Sequence, residues 1–401
     1  MGLLDATTMT LVALLAVGCA AGGVVLAELR RGRRRFRLPA VAGLIVTAQL
    51  LSVLFVGLVV NAHYGFYSSW GDLFGDNGVA SGTSPVALTG IDRAKRGLLL
   101  ANYRHHRGTV LPLTVDTPGT GLNPQAGYIY LPPQYGNPAL NAVRFPVLEL
   151  LDGVPGNPQT WLGPLHLQKT LDAAMNSGQS TPFIAVLPTM TPLLHRDTEC
   201  VDVVGGPSVD TYLSYDVRTA VLGSVRAQSD PRSWGIMGYS TGGFCAMNLA
   251  MRHPDLFGAG VSLSGYDHPY LDHTTGALFG GSTTLFDQNS PLWEAEHWTG
   301  PPLALLMFAS IPDRNSYHSA VRMAQAPHGR LRLDVTFLRH GGHNFTLWYK
   351  LLPYTFNWFS RQLTPPLQTV HLDGTVPAPT FAPTPNPTST DIDHTGERPH
   401  I

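Results

Sequence analysis

Two long apolar runs open the chain. Residues 9–27 carry no charged side chain, and residues 38–60 form a second run of the same kind. As a helix, each is long enough to cross a hydrocarbon core of about 30 Å. From residue 105 the pattern changes to short apolar runs separated by helix-like stretches. Tyr128-Ile129-Tyr130-Leu131, stopped by two prolines, reads as a strand, and Val147–Leu151 reads as a fully buried one. Residues 183–187, 234–237, 259–263, 303–308 and 335–338 repeat the signal. Strands alternating with helices predict a largely parallel sheet covered on both faces, an α/β class fold. Beyond residue 363 the periodicity stops, and Pro and Thr dominate residues 375–390, which predicts a disordered tail or stalk. The expected layout is therefore a two-helix anchor over 1–62, a linker over 63–104, a catalytic domain over 105–362 and a tail over 363–401.

Charge gives the anchor a direction. Between the two runs lie Arg30, Arg31, Arg33, Arg34, Arg35 and Arg37. Short arginine-rich loops stay in the cytoplasm, so everything after Asn61 is expected outside the membrane. A cleaved signal peptide fits less well: Asp5 and no basic residue precedes the first run, and no small-x-small site follows the second. Tyr64 to Trp70 (YGFYSSW) has the residue types of a membrane interface, or equally of a packed linker. Apart from the arginine loop the chain has no basic footprint, with a net charge of −1, and no nucleic-acid partner is expected.

The strongest chemical motif is Gly238-Tyr239-Ser240-Thr241-Gly242, a G-x-S-x-G directly after the strand over 234–237 and opening a helix that Pro254 ends. That strand–turn–helix context is what a nucleophile elbow requires: flanking glycines admit a tight turn that lifts the serine Oγ above the sheet. A structural serine in a tight turn is the alternative. A serine nucleophile needs a base and an orienting acid, which on this scaffold follow in the order Ser, acid, His. His343, in Gly341-Gly342-His343-Asn344-Phe345 after the last strand, is the expected base, with His340 its nearest rival. Asp313, in the loop after the strand over 303–308, is the expected acid, ahead of Asp334, Asp287, Glu294 and Glu296. One oxyanion donor is expected at the N–H of Thr241. The other is expected in Asp152-Gly153-Val154-Pro155, where Val154 is favoured because Pro155 has no N–H.

These pieces together resemble the putative esterase family, which includes esterase D-type enzymes and antigen 85 mycolyltransferases. The resemblance rests on Tyr130-Leu131-Pro132-Pro133, Phe145-Pro146-Val147 through Asp152-Gly153, Gly238 to Gly243, Asp313 and Gly342-His343-Asn344. It implies an α/β-hydrolase fold, a Ser-acid-His triad, and ester hydrolysis or acyl transfer with an ester or acyl-lipid substrate. Tyr239 in the elbow and aspartate rather than glutamate at 313 set the chain apart from the mycolyltransferases. A general carboxylesterase therefore stands ahead of acyl transfer to envelope sugars. Some relatives act as binding proteins without catalysis, which makes a cell-surface binding role the rival from another class.

Three cysteines are present. Cys19 lies in the first apolar run. In an oxidising compartment a Cys200–Cys245 disulfide would tie the loop after the 183–187 strand to the elbow helix. Asn344-Phe345-Thr346 matches a glycosylation sequon, but a glycan there would crowd His343. His105-His106 lacks further ligand spacing, so no metal site is expected. No phosphate-binding glycine motif stands in a suitable context, so no cofactor is expected.

Overall fold

A computed structural model describes residues 6–28, 34–64, 93–193, 196–326 and 329–368. The chain divides into two compact units, 1–79 and 80–401. In the first, α1 (Ala6–Glu28) and α2 (Arg34–Tyr64) pack through Val12 and Leu58, with Met9, Leu51 and Phe55 around them. Thr7–Glu28 and Leu38–Asn61 are long and apolar enough to cross a membrane, with mean hydropathies of 2.3 and 2.4. Leu14, Leu50 and Val53 are among many large apolar side chains left exposed, which water disfavours and lipid accepts. Arg30, Arg31 and Arg33, residues 65–70 of the aromatic cluster, and the tail from 369 lie outside the described residues.

The second unit is built on an eight-stranded sheet. In chain order its strands are β1 (Thr109–Val115), β2 (Gln125–Leu131), β3 (Val147–Leu151), β4 (Ile184–Pro188), β5 (Trp234–Tyr239), β6 (Ala259–Leu263), β7 (Leu303–Ser310) and β8 (Leu331–Leu338). Their spatial order is β1-β2-β4-β3-β5-β6-β7-β8. The six strands β4-β3-β5-β6-β7-β8 are parallel to one another, and β2 runs antiparallel to both β1 and β4. Side-chain alternation feeds two cores. Along β7, Leu303, Leu305, Met307 and Ala309 face one, while Ala304, Leu306 and Phe308 face the other. The first core is closed by α5 (Val217–Ser224), α6 (Thr241–Arg252) and α7 (Arg314–Gln325), through residues such as Val221, Phe244 and Met323. The second is closed by α4 (Leu167–Asn176) and α8 (Phe345–Gln362), through Leu171, Leu352, Phe356 and Phe359. This is the mostly parallel α/β sheet that the sequence predicts.

Two elements depart from the sequence reading. Residues 93–104, expected within the linker, form α3, whose Leu99 is buried in the first core and packs against Gly136. A short Gly/Ser-rich context hid an amphipathic helix whose one buried leucine is recruited by tertiary contact. β1, which contains Pro112, is not among the strands expected from the apolar runs. As an edge strand, β1 has only one hydrogen-bonded neighbour, so a residue without an N–H is tolerated there. The folded unit also continues past 362, where Leu367 and Gln368 pair with Arg144 and Val143.

One buried ion-pair cluster fixes α7 against the loop after β6. The Asp267 carboxylate accepts from Arg322 Nε at 2.6 Å, Arg322 Nη2 at 2.9 Å, Ser319 Oγ at 3.1 Å and His268 Nδ1 at 2.7 Å. Burial pushes its pKa up, but the hydrogen bonds from His268 and Arg322 outweigh burial and bring it from 3.8 down to about 2. The folded value lies below the unfolded one, so this stabilisation is present above about pH 4 and is lost as pH falls towards 2. Arg322 is half-exposed, so screening limits the contribution to on the order of 1–2 kcal/mol. Urea titrations should therefore show Asp267→Asn destabilised by about that amount at neutral pH, with the gap from wild type closing between pH 4 and pH 2.

Candidate active site

β5 ends at Tyr239, α6 begins at Thr241, and Ser240 makes the turn between them with φ 56° and ψ −126°. That conformation is costly for a residue with a β-carbon, and the surroundings hold it. Ser240 N–H donates to Leu263 O of β6 at 2.9 Å, and its carbonyl accepts from the N–H groups of Gly243 and Phe244. The flanking glycines are steric requirements. A β-carbon at Gly238 would collide with the backbone of Gly242, and one at Gly242 would collide with the carbonyls of Leu151 and Asp152. The first turn of α6 thus lies directly on the ends of β5 and β3. Ser240 occupies the helix N-cap, where the helix dipole favours negative charge.

The two other expected side chains converge on Ser240 from separate loops. His343 Nε2 lies 2.9 Å from Ser240 Oγ, and His343 Nδ1 lies 2.7 Å from Asp313 Oδ2. Asp313 follows β7 and caps α7, while His343 follows β8 just before α8. The loop carrying His343 is tied back when Gly342 N–H donates to Ser310 Oγ at 2.9 Å. Asn344, half of the sequon, is the N-cap of α8: its Oδ1 accepts from Leu347 N–H at 3.0 Å and its amide donates to Gly341 O. Burial raises the Asp313 carboxyl, but the His343 hydrogen bond and charge, with hydrogen bonds from Ser316, more than offset it and hold it below its ordinary value. Asp313 is thus an acceptor-only carboxylate at neutral pH. The His343 side chain is 43% exposed, so the site opens to solvent.

The rivals sit elsewhere. His340 is exposed beyond the end of β8, and Asp334 lies inside β8. His253 pairs with Asp210, and His268 with Asp267. In the loop after β3, Gly153 packs so close to Ser240 that an added β-carbon would lie 3.0 Å from its Cβ. Val154 follows, half-buried, and Asp152 is fully buried. Thr241, at the first position of α6, is buried. Cys200 and Cys245 are joined in a disulfide with a Cα–Cα distance of 5.8 Å, spanning 45 residues. Among the described residues no group of three or more His, Cys, Asp or Glu side chains is arranged to hold a metal ion. A cavity of about 520 Å³ lies apart from Ser240, beneath α3, lined by Arg96, Leu99, Tyr135 and Arg226 among others.

Two supporting residues escaped the sequence reading. Ser316 Oγ donates to Asp313 Oδ2 at 2.6 Å; the Asp-x-x-Ser spacing at a helix start was the available signal. Trp348 packs edge-on against His343 at 5.0 Å and stacks on Tyr239 at 4.6 Å, and its indole N–H donates to Ser264 Oγ at 3.0 Å. It links the elbow strand to the histidine, and no local pattern announces that contact. Chemically, the arrangement can take the proton from Ser240 Oγ onto His343, keep the resulting imidazolium beside a carboxylate, and collect negative charge at the start of α6.

The sequence profile of the family described as Putative esterase matches residues 123–337, more than half of the chain, including Ser240 and Asp313 and ending six residues before His343. An uncharacterized protein of Corynebacterium glutamicum is 30% identical over 261 residues, which are 62% of this chain and 60% of that protein. The chain thus matches less than two thirds of that relative's length. Among solved structures, a ferulic acid esterase superposes with a TM-score of 0.55 at 20% identity, over 64% of this chain and 99% of the other. An S-formylglutathione hydrolase from Agrobacterium tumefaciens gives 0.54 at 12% identity, over 65% and 97%. A fluorophosphonate-binding serine hydrolase of Staphylococcus aureus gives 0.51 at 16% identity, over 63% and 99%. At these identities the structural likeness speaks for the fold.

The Asp313–His343 contact makes a directional prediction. Asp313→Asn keeps the size of the side chain but removes the anionic acceptor that selects the Nδ1–H tautomer, so turnover should fall on the order of 10³- to 10⁴-fold with little change in melting temperature. Ser316→Ala should lower it far less, because it removes only one of the hydrogen bonds on the same carboxylate.

Proposed function

The chain belongs to the putative esterase family, and from that membership we propose that it is a membrane-anchored serine esterase acting on carboxylic esters outside the cytoplasmic membrane. One observation carries the reading: a single hydrogen-bonded line from Ser240 Oγ through His343 to Asp313, with links of 2.9 and 2.7 Å. Ser240 Oγ attacks the ester carbonyl as His343 Nε2 takes its proton. Nδ1–H of His343 donates to Asp313, which fixes the tautomer and stabilises the imidazolium. The N–H groups of Thr241 and Val154 receive the negative charge that develops on the carbonyl oxygen. Collapse of the tetrahedral intermediate expels the alcohol, protonated by His343, and leaves an acyl group on Ser240. Water, activated by the same histidine, then releases the acid.

The address comes from the first unit. Two apolar helices of membrane-spanning length support anchoring, and the arginines between them support a cytoplasmic loop. Both outer ends then face outward, the oxidising side, which agrees with the Cys200–Cys245 disulfide. An ester or acyl-lipid of the envelope is the substrate class this position makes available.

Turnover of a panel of p-nitrophenyl acyl esters by the detergent-solubilised chain tests the reaction. Ser240→Ala and His343→Ala should each reduce kcat by on the order of 10⁴- to 10⁶-fold. Wild-type turnover in either variant contradicts the assignment of that residue. Alkaline carbonate should leave the full chain in the membrane pellet and release a chain lacking residues 1–62; release of the full chain would remove the anchor.

A further inference from the structure

Packed against α6 lies a buried polar group that the triad does not use. Glu199 and Cys200 are consecutive non-glycine residues with positive φ, 48° and 54°. An isolated loop would rarely hold that conformation. Here Glu199 N–H donates to Asp197 Oδ1 at 2.9 Å, and Cys200 is bonded through its sulfur to Cys245 of α6. The Glu199 side chain is turned inward and 2% exposed. Its two carboxyl oxygens lie 2.8 and 2.7 Å from Tyr266 Oη. The Tyr266 ring is sandwiched between Phe244 of α6 at 4.8 Å and Tyr270 at 4.2 Å, stacked on both. Glu199 therefore holds, through Tyr266, a ring stacked on Phe244 in the opening of the elbow helix, and the disulfide fastens the residue after Glu199 to the same helix.

We propose that Glu199 and Tyr266, fastened to α6 by the Cys200–Cys245 disulfide, are positioning residues that hold Thr241 in register with the developing oxyanion. The inference rests on the reading of Thr241 N–H as an oxyanion donor. The N–H groups of a helix's first turn have no partner in the helix and are free for a ligand. Tyr266, held by Glu199, stacks on Phe244 at the start of α6, so its position sets how that first turn is seated. The charge state of Glu199 suits the position. Burial first, and then the charge of Asp197, push its pKa up to about 9, so it is neutral at neutral pH. A neutral carboxyl supplies hydrogen bonding without placing a negative charge beside the oxyanion.

The test uses the full chain in detergent, with kcat and KM for a p-nitrophenyl ester, the Ki of an arylboronic acid that forms a tetrahedral adduct on serine, and thermal melting. Tyr266→Phe keeps the ring stacking and removes only the hydroxyl. It and Glu199→Ala should lower kcat by about 10- to 100-fold, leave KM within about twofold, and weaken the boronic acid by a similar factor. Glu199→Gln, a neutral isostere, should restore kcat to within about threefold of wild type. Wild-type kcat in Tyr266→Phe overturns the proposal. So does a loss carried by KM, an unchanged boronic acid Ki beside a reduced kcat, or a Glu199→Gln chain as impaired as Glu199→Ala. Should Glu199→Ala fail to fold, Tyr266→Phe and Glu199→Gln decide the outcome. An inactive wild type, or a Ser240→Ala chain as active as wild type, removes the esterase reading and the proposal together, whereas wild-type kcat in Tyr266→Phe removes the proposal alone.

Discussion

The backbones of β5, β3 and α6 meet so closely at the elbow that no β-carbon fits at Gly238 or Gly242. The rest of the site depends on that approach. It seats the first turn of α6 on the carboxyl ends of two parallel strands and forces Ser240 into a conformation that only its neighbours make tolerable. Because the strands are parallel from β3 to β8, the loops that follow them emerge along one edge of the sheet. Gly153 after β3, Ser240 after β5, Tyr266 after β6, Asp313 after β7 and His343 after β8 are therefore brought together although they are scattered over nearly two hundred residues. The sheet has little freedom to move any one of them alone. Its two faces are packed by separate apolar cores, and the close-packed interior resists the shifts that a misplaced loop would require.

Asp313 and Glu199 are carboxyl groups held in opposite states by their surroundings. Asp313 stands beside an imidazole and accepts from Ser316, and it is kept below its ordinary value. Glu199 is buried, with Asp197 nearby, and is pushed up to about 9. In the proposed mechanism, a charged group suits the position that must balance an imidazolium. The disulfide belongs to the second of these arrangements as much as to overall stability. In the chain-entropy view, closing a loop of this length contributes about 4 kcal/mol. The bond joins Cys200, which like Glu199 has a left-handed backbone conformation, to α6.

Much of this was legible in the sequence, for reasons that differ from residue to residue. The central strands announced themselves because they are buried on both faces and so are continuously apolar, as in β7. Ser240 was legible because its glycines are steric necessities and its flanking strand and helix each carry their own pattern. Asp313 and His343 were legible through chain order and through the strands they follow. Cys200 and Cys245 could be paired only because their compartment had been argued first. By contrast, α3 was hidden by a Gly/Ser-rich context, and β1 by Pro112, which an edge position excuses. Trp348, Tyr266 and Glu199 were invisible for a deeper reason: their partners are set by the packing of distant loops, and no spacing along the chain encodes a contact such as that between residues 199 and 266.

The central claim is that Ser240 is a nucleophile activated by His343. A fluorophosphonate forms a covalent bond only with a serine that is both activated and placed against oxyanion donors, so adduct formation reads the assembled site without knowledge of the natural substrate. Intact-mass measurement followed by peptide mapping of the labelled full-length chain should find one phosphonyl group, on Ser240, and none on a folded His343→Ala chain over the same time. A folded wild-type chain that stays unmodified, or one modified at a different serine, would contradict the account.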